Sequence, residues 1–375
     1  MMVCRLSGLI IGVMLFVPMS GAEPITESRI VPGDSCATSG CHGGAGLNRG
    51  AYHIWRKSDP HAHAAATLTN GQSSAMAQKL GLDRADQAKA CTACHAPMKQ
   101  VAPALLTPAM QQTQQDQEFT CANCHGGAEH WLLSHTRPEY PREALEKLGM
   151  RPLQSAYQRA NSCVACHQNL TNDLMMANHP PLIFELDGLM VEQPKHWREG
   201  ADFSHAQTWL VGQAVALREI ASLNQKQPHP ERNAEREAVV ALLDASESGW
   251  HFERGADLVS VADAFAQKVS RQQWTVEQTR RSMSSLMKNR AALGFGSFPE
   301  VPADQRMRAV GHYAERLALA LDRLNQSLIA AGEKAAFPEE ALDELFRAAP
   351  PPKSFDADVV ENFLRKLEAL AAEKK

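Results

Sequence analysis

Four places in the chain set two cysteines immediately before a histidine. Three have the same spacing: Cys91-Thr-Ala-Cys94-His95, Cys121-Ala-Asn-Cys124-His125 and Cys163-Val-Ala-Cys166-His167. A longer copy, Cys36-Ala-Thr-Ser-Gly-Cys41-His42, precedes them. C-x-x-C-H is the attachment signature of c-type haem, in which two thiols add across the porphyrin vinyl groups and the adjoining histidine becomes an axial ligand of the iron. With 9 cysteines and 15 histidines in 375 residues, chance supplies such a motif only about 0.01 times per chain. The longer copy gains weight because every cysteine after Cys4 belongs to one of these pairs, leaving none for a disulfide or a reactive thiol. Zinc knuckles and thioredoxin-like dithiols also use short cysteine spacings. Zinc, however, gives no reason for a histidine after every second cysteine, and a redox dithiol gives none for four copies. The motifs therefore predict four covalently attached haem c groups, held by Cys36, Cys41, Cys91, Cys94, Cys121, Cys124, Cys163 and Cys166, with His42, His95, His125 and His167 on the irons.

The elements that carry these residues divide the chain. From Cys36 to His167 the sequence is rich in Gly, Pro and His and has only short periodic stretches. Such a segment cannot close a core from its own aliphatic side chains, so the haems are expected to serve as that core and the apoprotein to be poorly folded here. From about Phe203 the pattern changes to long helical periodicity without cysteine. Leu210, Ala214, Leu217 and Ala221 share one helix face, as do Val310, Ala314, Leu317, Leu321, Leu324 and Leu328. Thr275-Val-Glu-Gln278 reads as a capping box opening another helix, with Gly294 as its stop. A last helix carries Val360, Phe363, Leu367 and Leu370 on one face, with Lys366, Lys374 and Lys375 toward its end. Pro350-Pro-Pro352 is a rigid joint before it. An antiparallel helical bundle follows, and no alternation is long enough for a sheet of consequence.

Residues 1–22 have Arg5, an apolar stretch from Leu9 to Val17 and a small-residue exit ending at Ala22, the form of a secretory signal peptide. Its apolar stretch is short against the roughly 20 residues of a membrane span, and Cys4 lies too early for lipidation at the cleavage point. A periplasmic protein is expected, in preference to a membrane-anchored one, and this suits thiols that must meet haem outside the cytoplasm. Cleavage would move the net charge from −4 to −5, and haem propionates would add to it. With no basic stripe, nucleic acid (DNA included) is an improbable partner. Periplasmic or membrane-bound redox proteins are the expected ones.

A haem iron held only by its proximal histidine is open to ligands, whereas a second axial histidine closes it and leaves electron transfer as its task. Beyond the four proximal histidines the chain has His53, His61, His63, His130, His135, His179, His196, His205, His229, His251 and His312. His229, between prolines, and His312, on a bundle helix, read as ordinary surface or packing residues. His61 and His63 are two residues apart, so at most one serves a given iron. His130 and His135 follow the third motif too closely to reach the far face of the same haem and better suit a neighbouring one. His179 sits before Pro180 and Pro181, which stiffen its backbone. Met98, Met175 and Met176 are the methionine alternatives, more at home in a core.

These stretches together resemble multihaem cytochromes c of the cytochrome c-554 type. The similarity runs from Cys36–His42 through Tyr52-His-Ile-Trp55 and Ser58-Asp-Pro-His-Ala62, then Cys121–Gly126 with Trp131-Leu-Leu-Ser-His135. It ends through Cys163–His167, Asn178-His-Pro-Pro-Leu182 and Pro194-Lys-His-Trp197. The resemblance implies a tetrahaem domain and, residue by residue, distal ligands at His61, His135 and His179. Relatives commonly carry a histidine where this chain has Asn172, and His130 is not part of their pattern. The fourth distal ligand is therefore His130, His63, His53 or His196, or the position is vacant. The family includes a five-coordinate haem beside three bis-histidine ones, and the second motif has the least obvious partner.

The expected fold class is mainly α: residues 1–22 a signal peptide, 23–200 a tetrahaem cytochrome c domain of short helices and little regular structure, and 201–375 an α-helical bundle. The leading functional expectation is a periplasmic carrier passing electrons between respiratory partners through mostly bis-histidine haems. The alternative is a multihaem oxidoreductase acting on a small nitrogen or sulfur compound at a five-coordinate haem. For that, Arg137, Arg151, Arg159 and Lys195 are the available cations, although all four would equally serve propionates. A third reading makes the helical half a docking module.

Overall fold

A computed structural model describes residues 28–46, 49–246, 251–252, 257–289, 293–294, 296–349 and 356–372. The expected signal peptide (with Cys4), the Pro350–Pro352 joint, Lys374 and Lys375 lie outside them. Among the described residues the chain is helical throughout, with one isolated bridge, Ile30 to Leu106, in place of any strand. None of these helices is long and apolar enough to cross a membrane.

The second half is a bundle of seven helices: α10 (His205–Lys226), α11 (Pro230–Ala245), α12 (Leu258–Arg271), α13 (Val276–Lys288), α14 (Arg306–Ala330), α15 (Glu339–Arg347) and α16 (Ala357–Ala372). Their starts follow local chemistry. The side chains of Ser204, His229 and Asp257 accept backbone N–H groups in the first turns of α10, α11 and α12, and Pro230 supplies the fixed φ of a first helical position. The capping box of Thr275 and Gln278 opens α13 as expected. That helix stops at Lys288, six residues before Gly294, because Asn289 leaves helical geometry (ψ 47°) while its N–H still caps Ser285. The three predicted apolar faces are all buried. With Trp209, Phe265, Tyr313 and Phe337 all of these residues except Ala221 form one continuous core.

The first half has short helices: α1 (Ala51–Ser58), α2 (Gly71–Lys79), α3 (Lys89–His95), α4 (Pro108–Thr113), α5 (Cys121–His125) and α6 (Arg142–Lys147), with a 3₁₀ segment over Pro60–Thr69. Its apolar clusters are small: Leu68 with Ala77 and Ala85, Met98 with Leu106 and Met110, Trp131 with Ala128 and Leu145. These are too thin to order some 120 residues by apolar burial alone.

Packing crosses the expected division at residue 200. Helices α7 (Ala156–His167) and α9 (Leu186–Glu192), separated by α8 (Asn172–Met176), contribute Ala160, Val164, Leu186 and Met190 to the bundle core, joined by Phe184 just before α9. Gly212 on α10 makes room for this: a Cβ there would meet that of Leu186 at 2.7 Å. A buried polar network pins the same seam. Arg316, 1% exposed, donates to Glu235, Gln213 and the Phe184 carbonyl, and Glu235 in turn accepts from Gln168, the residue after His167.

Candidate functional site

Helices α3, α5 and α7 each end on the histidine of a C-x-x-C-H motif. In a helix, positions i, i+3 and i+4 share a face, so both thiols and the imidazole of each motif project together. α5 is held by a capping box of Thr120 and Asn123. It ends at Gly126 (φ +83°), where a Cβ would lie 2.6 Å from the Gly149 carbonyl, so only glycine turns the chain here. In the first motif Cys36 closes a 3₁₀ turn (Gly33–Cys36), and the His42 N–H donates to the Cys36 carbonyl, which folds the longer spacing back on itself.

Each of the four motif histidines faces one other histidine. The ring centres are 6.1 Å apart for His42 and His135, 6.4 Å for His95 and His179, 6.4 Å for His125 and His196, and 5.9 Å for His167 and His61. Two imidazoles on opposite sides of one metal, each at about 2 Å, place their ring centres roughly 6.3 Å apart. The partner rings are also oriented alike. His135 directs Nδ1 to the Trp131 carbonyl (3.3 Å), His179 to the Pro180 carbonyl (2.8 Å), His196 to the Pro194 carbonyl (3.4 Å) and His61 to Asp59 Oδ1 (2.8 Å). Donation from Nδ1 leaves Nε2 as the free donor atom, the arrangement that ligating histidines require.

Local structure delivers each partner ring. Asp59 caps the 3₁₀ segment that carries His61, accepting its backbone N–H. α8 ends in a Schellman motif: the His179 N–H bonds the Leu174 carbonyl and the Asn178 N–H that of Met175, with Asn178 left-handed at φ 67°. Pro180 and Pro181 then carry the chain away. Trp131 packs edge-on against His135, and Trp197 likewise against His196.

The other histidines have other occupations. His53 uses Nε2 on the Gly43 carbonyl, His205 bonds Asp187, His251 pairs with Asp244 and His312 with Glu231, His229 caps α11, and His63 and His130 are exposed. Met98 is buried and accepts from Thr120, while Met176 is exposed. Of the cations, Arg159 pairs with Glu199 at 2.7 Å and Arg151 donates to the Asn123 carbonyl at 2.6 Å.

The motifs touch one another in a definite order. Cys36 lies near Cys121, and Cys94 near Cys166. Cys163 and Cys166 in turn neighbour Cys124. All eight thiols are free. Burial lowers the proton affinity of His42, His95 and His167 and pushes His125 down to about 4, with the neighbouring imidazoles acting in the same direction. These rings are neutral at pH 7 and able to bind a metal. Among the described residues no three His, Cys, Asp or Glu side chains gather as a metal site.

Residues 35–126 match the family model for cytochrome c554 and c-prime. A cytochrome c554-family domain is thus recognised over the first three motifs, and the family is one of haem-binding electron-transfer proteins. It ends before the fourth motif, α7 and the bundle. No curated relative and no solved structure matches the chain.

The sequence did not single out His196 from His130, His63 and His53, nor foresee His179 opposite the second motif. Gln193-Pro194, which turns the chain toward His125, was the available signal. Asp59 was also passed over, although Asp-Pro-His is a ready N-cap sequence.

Proposed function

We propose that the chain is a periplasmic tetrahaem c-type cytochrome that carries electrons between redox partners, with all four irons closed by two histidines. The observation that carries this reading is the pairing: four motif histidines, four facing histidines, and every facing ring fixed through Nδ1. The residues fit the group. The eight cysteines would hold the porphyrins, and His42/His135, His95/His179, His125/His196 and His167/His61 would be the axial pairs. When bound, the haems supply one-electron chemistry, and bis-histidine ligation favours low potentials relative to His/Met.

What the protein contributes is position and order. The thiols place the first motif beside the third, the third beside the fourth and the fourth beside the second. Closed irons favour the carrier over the oxidoreductase.

Pyridine haemochrome assay should give four haems per chain, and low-temperature EPR of the oxidised protein should show four low-spin centres that do not bind nitric oxide or cyanide. His196→Ala should turn one haem high-spin, while His130→Ala should leave all four low-spin. A high-spin centre in the unmodified protein that binds such ligands and turns over a substrate would replace this reading by the oxidoreductase.

A further inference from the structure

Three of the four facing histidines lean on a neutral backbone carbonyl, and His61 alone leans on a carboxylate. Asp59 is 1% exposed. Its Oδ1 accepts both the backbone N–H of His61 at 3.0 Å and the ring Nδ1–H at 2.8 Å. Its Oδ2 accepts from Gln193 Nε2 at 2.8 Å. Among the described residues no lysine or arginine forms an ion pair with it; His61 is its only basic partner. Both oxygens accept N–H donors, three in all, the arrangement of an acceptor-only carboxylate. A buried negative charge thus sits directly behind the ring that faces His167 of the fourth motif.

We infer that Asp59 tunes the potential of the haem held by His167 and His61, making it the lowest of the four. The inference rests on the haem reading above. A carboxylate accepting Nδ1–H draws the proton from the ring and makes Nε2 a stronger donor, as carboxylate–histidine pairs do at other metal sites. The uncompensated charge acts in the same direction, because in a site shielded from water it favours the more positive, ferric iron. A carbonyl exerts the first effect weakly and the second hardly at all. Asp59 does not reach the iron and acts through His61. Because its second oxygen holds Gln193, three residues before His196, the same group ties together the segments that supply two neighbouring axial ligands.

The test is spectroelectrochemical titration of the full-length holoprotein, with EPR at each step. Asp59→Asn keeps the Oδ1 acceptor and removes the charge. All four haems should stay low-spin while one midpoint rises by at least a tenfold change in its one-electron equilibrium constant, about 59 mV, with smaller changes in the rest. Gln193→Leu removes a donor that spreads the carboxylate's charge, so the same midpoint should fall. His61→Ala identifies the centre concerned by turning it high-spin. Four low-spin haems in Asp59→Asn with every constant within about twofold of the parent overturn the tuning role and leave Asp59 a structural cap. If Asp59→Asn does not assemble, Gln193→Leu decides, an unchanged or raised midpoint counting against the inference. Should His61→Ala leave four low-spin haems, the axial pairing itself fails, which is a different result from an unshifted Asp59→Asn.

Discussion

Trp209 and Leu68 are both buried, but in different company. Trp209 sits in an apolar cluster that runs through all seven bundle helices, whereas Leu68 is buried with two alanines. Where the bundle places leucine and phenylalanine, the chain from Cys36 to His196 places eight thiols and four facing pairs of imidazoles. The difference teaches how each half is ordered. The bundle closes on its own side chains, by helix periodicity and caps. The first half has only three small apolar clusters, and under the proposed reading haem attachment and ligation would supply the rest of its order.

The largest effect should come from withholding haem. With all eight motif cysteines replaced by alanine, brief proteolysis followed by mass spectrometry should show cleavage throughout residues 28–150 and a surviving fragment spanning α10 to α16. A first half that stays protected without haem would erase the contrast between the regions. Next comes Arg316→Ala, which leaves Glu235 buried without its cation; losing one partner of such a pair costs about 3–5 kcal/mol. Denaturant unfolding followed by far-UV circular dichroism should register that loss in the bundle, with four low-spin haems retained in the folded protein. An unchanged unfolding free energy would mean that the buried network does not hold the seam.

The smallest effect is a pH dependence confined to the bundle. Burial acts to raise the Glu231 carboxyl, but the His312 imidazole and Arg308 guanidinium overcome this and hold it down to about 2 against an ordinary 4.5. A lowered carboxyl stabilises the folded state above its unfolded pKa, and that contribution drains away as the pH falls from 4.5 toward 2. The bundle should therefore weaken over that window, and Glu231→Gln should flatten the slope. A slope that survives the substitution would assign it to other groups.

Legibility in the sequence follows the same contrast. The faces through Leu210, Leu317 and Phe363 were readable because a helix repeats its burial every three to four residues. The motif cysteines and histidines were readable as a repeated local spacing. His196 was not, because what brings it opposite His125 is a loop path and a contact between Gln193 and Asp59, 134 residues apart in sequence. Nor was the seam at α7: composition changes near residue 200, but Ala160 and Val164 share a helix face with Cys163 and His167 and look like filler until α10 is laid against them.

That seam bears on biogenesis. Cys163 is half-buried and packs against the bundle core, on the helix that carries Ala160 and Val164 into it. Under the proposed reading, an attachment enzyme must reach a thiol that α10, seated against α7, partly covers. The order of synthesis helps, because the fourth motif emerges before any of the bundle that will cover it. Ligation at this motif would then be slower in a chain whose bundle has already closed than in one whose bundle is still open.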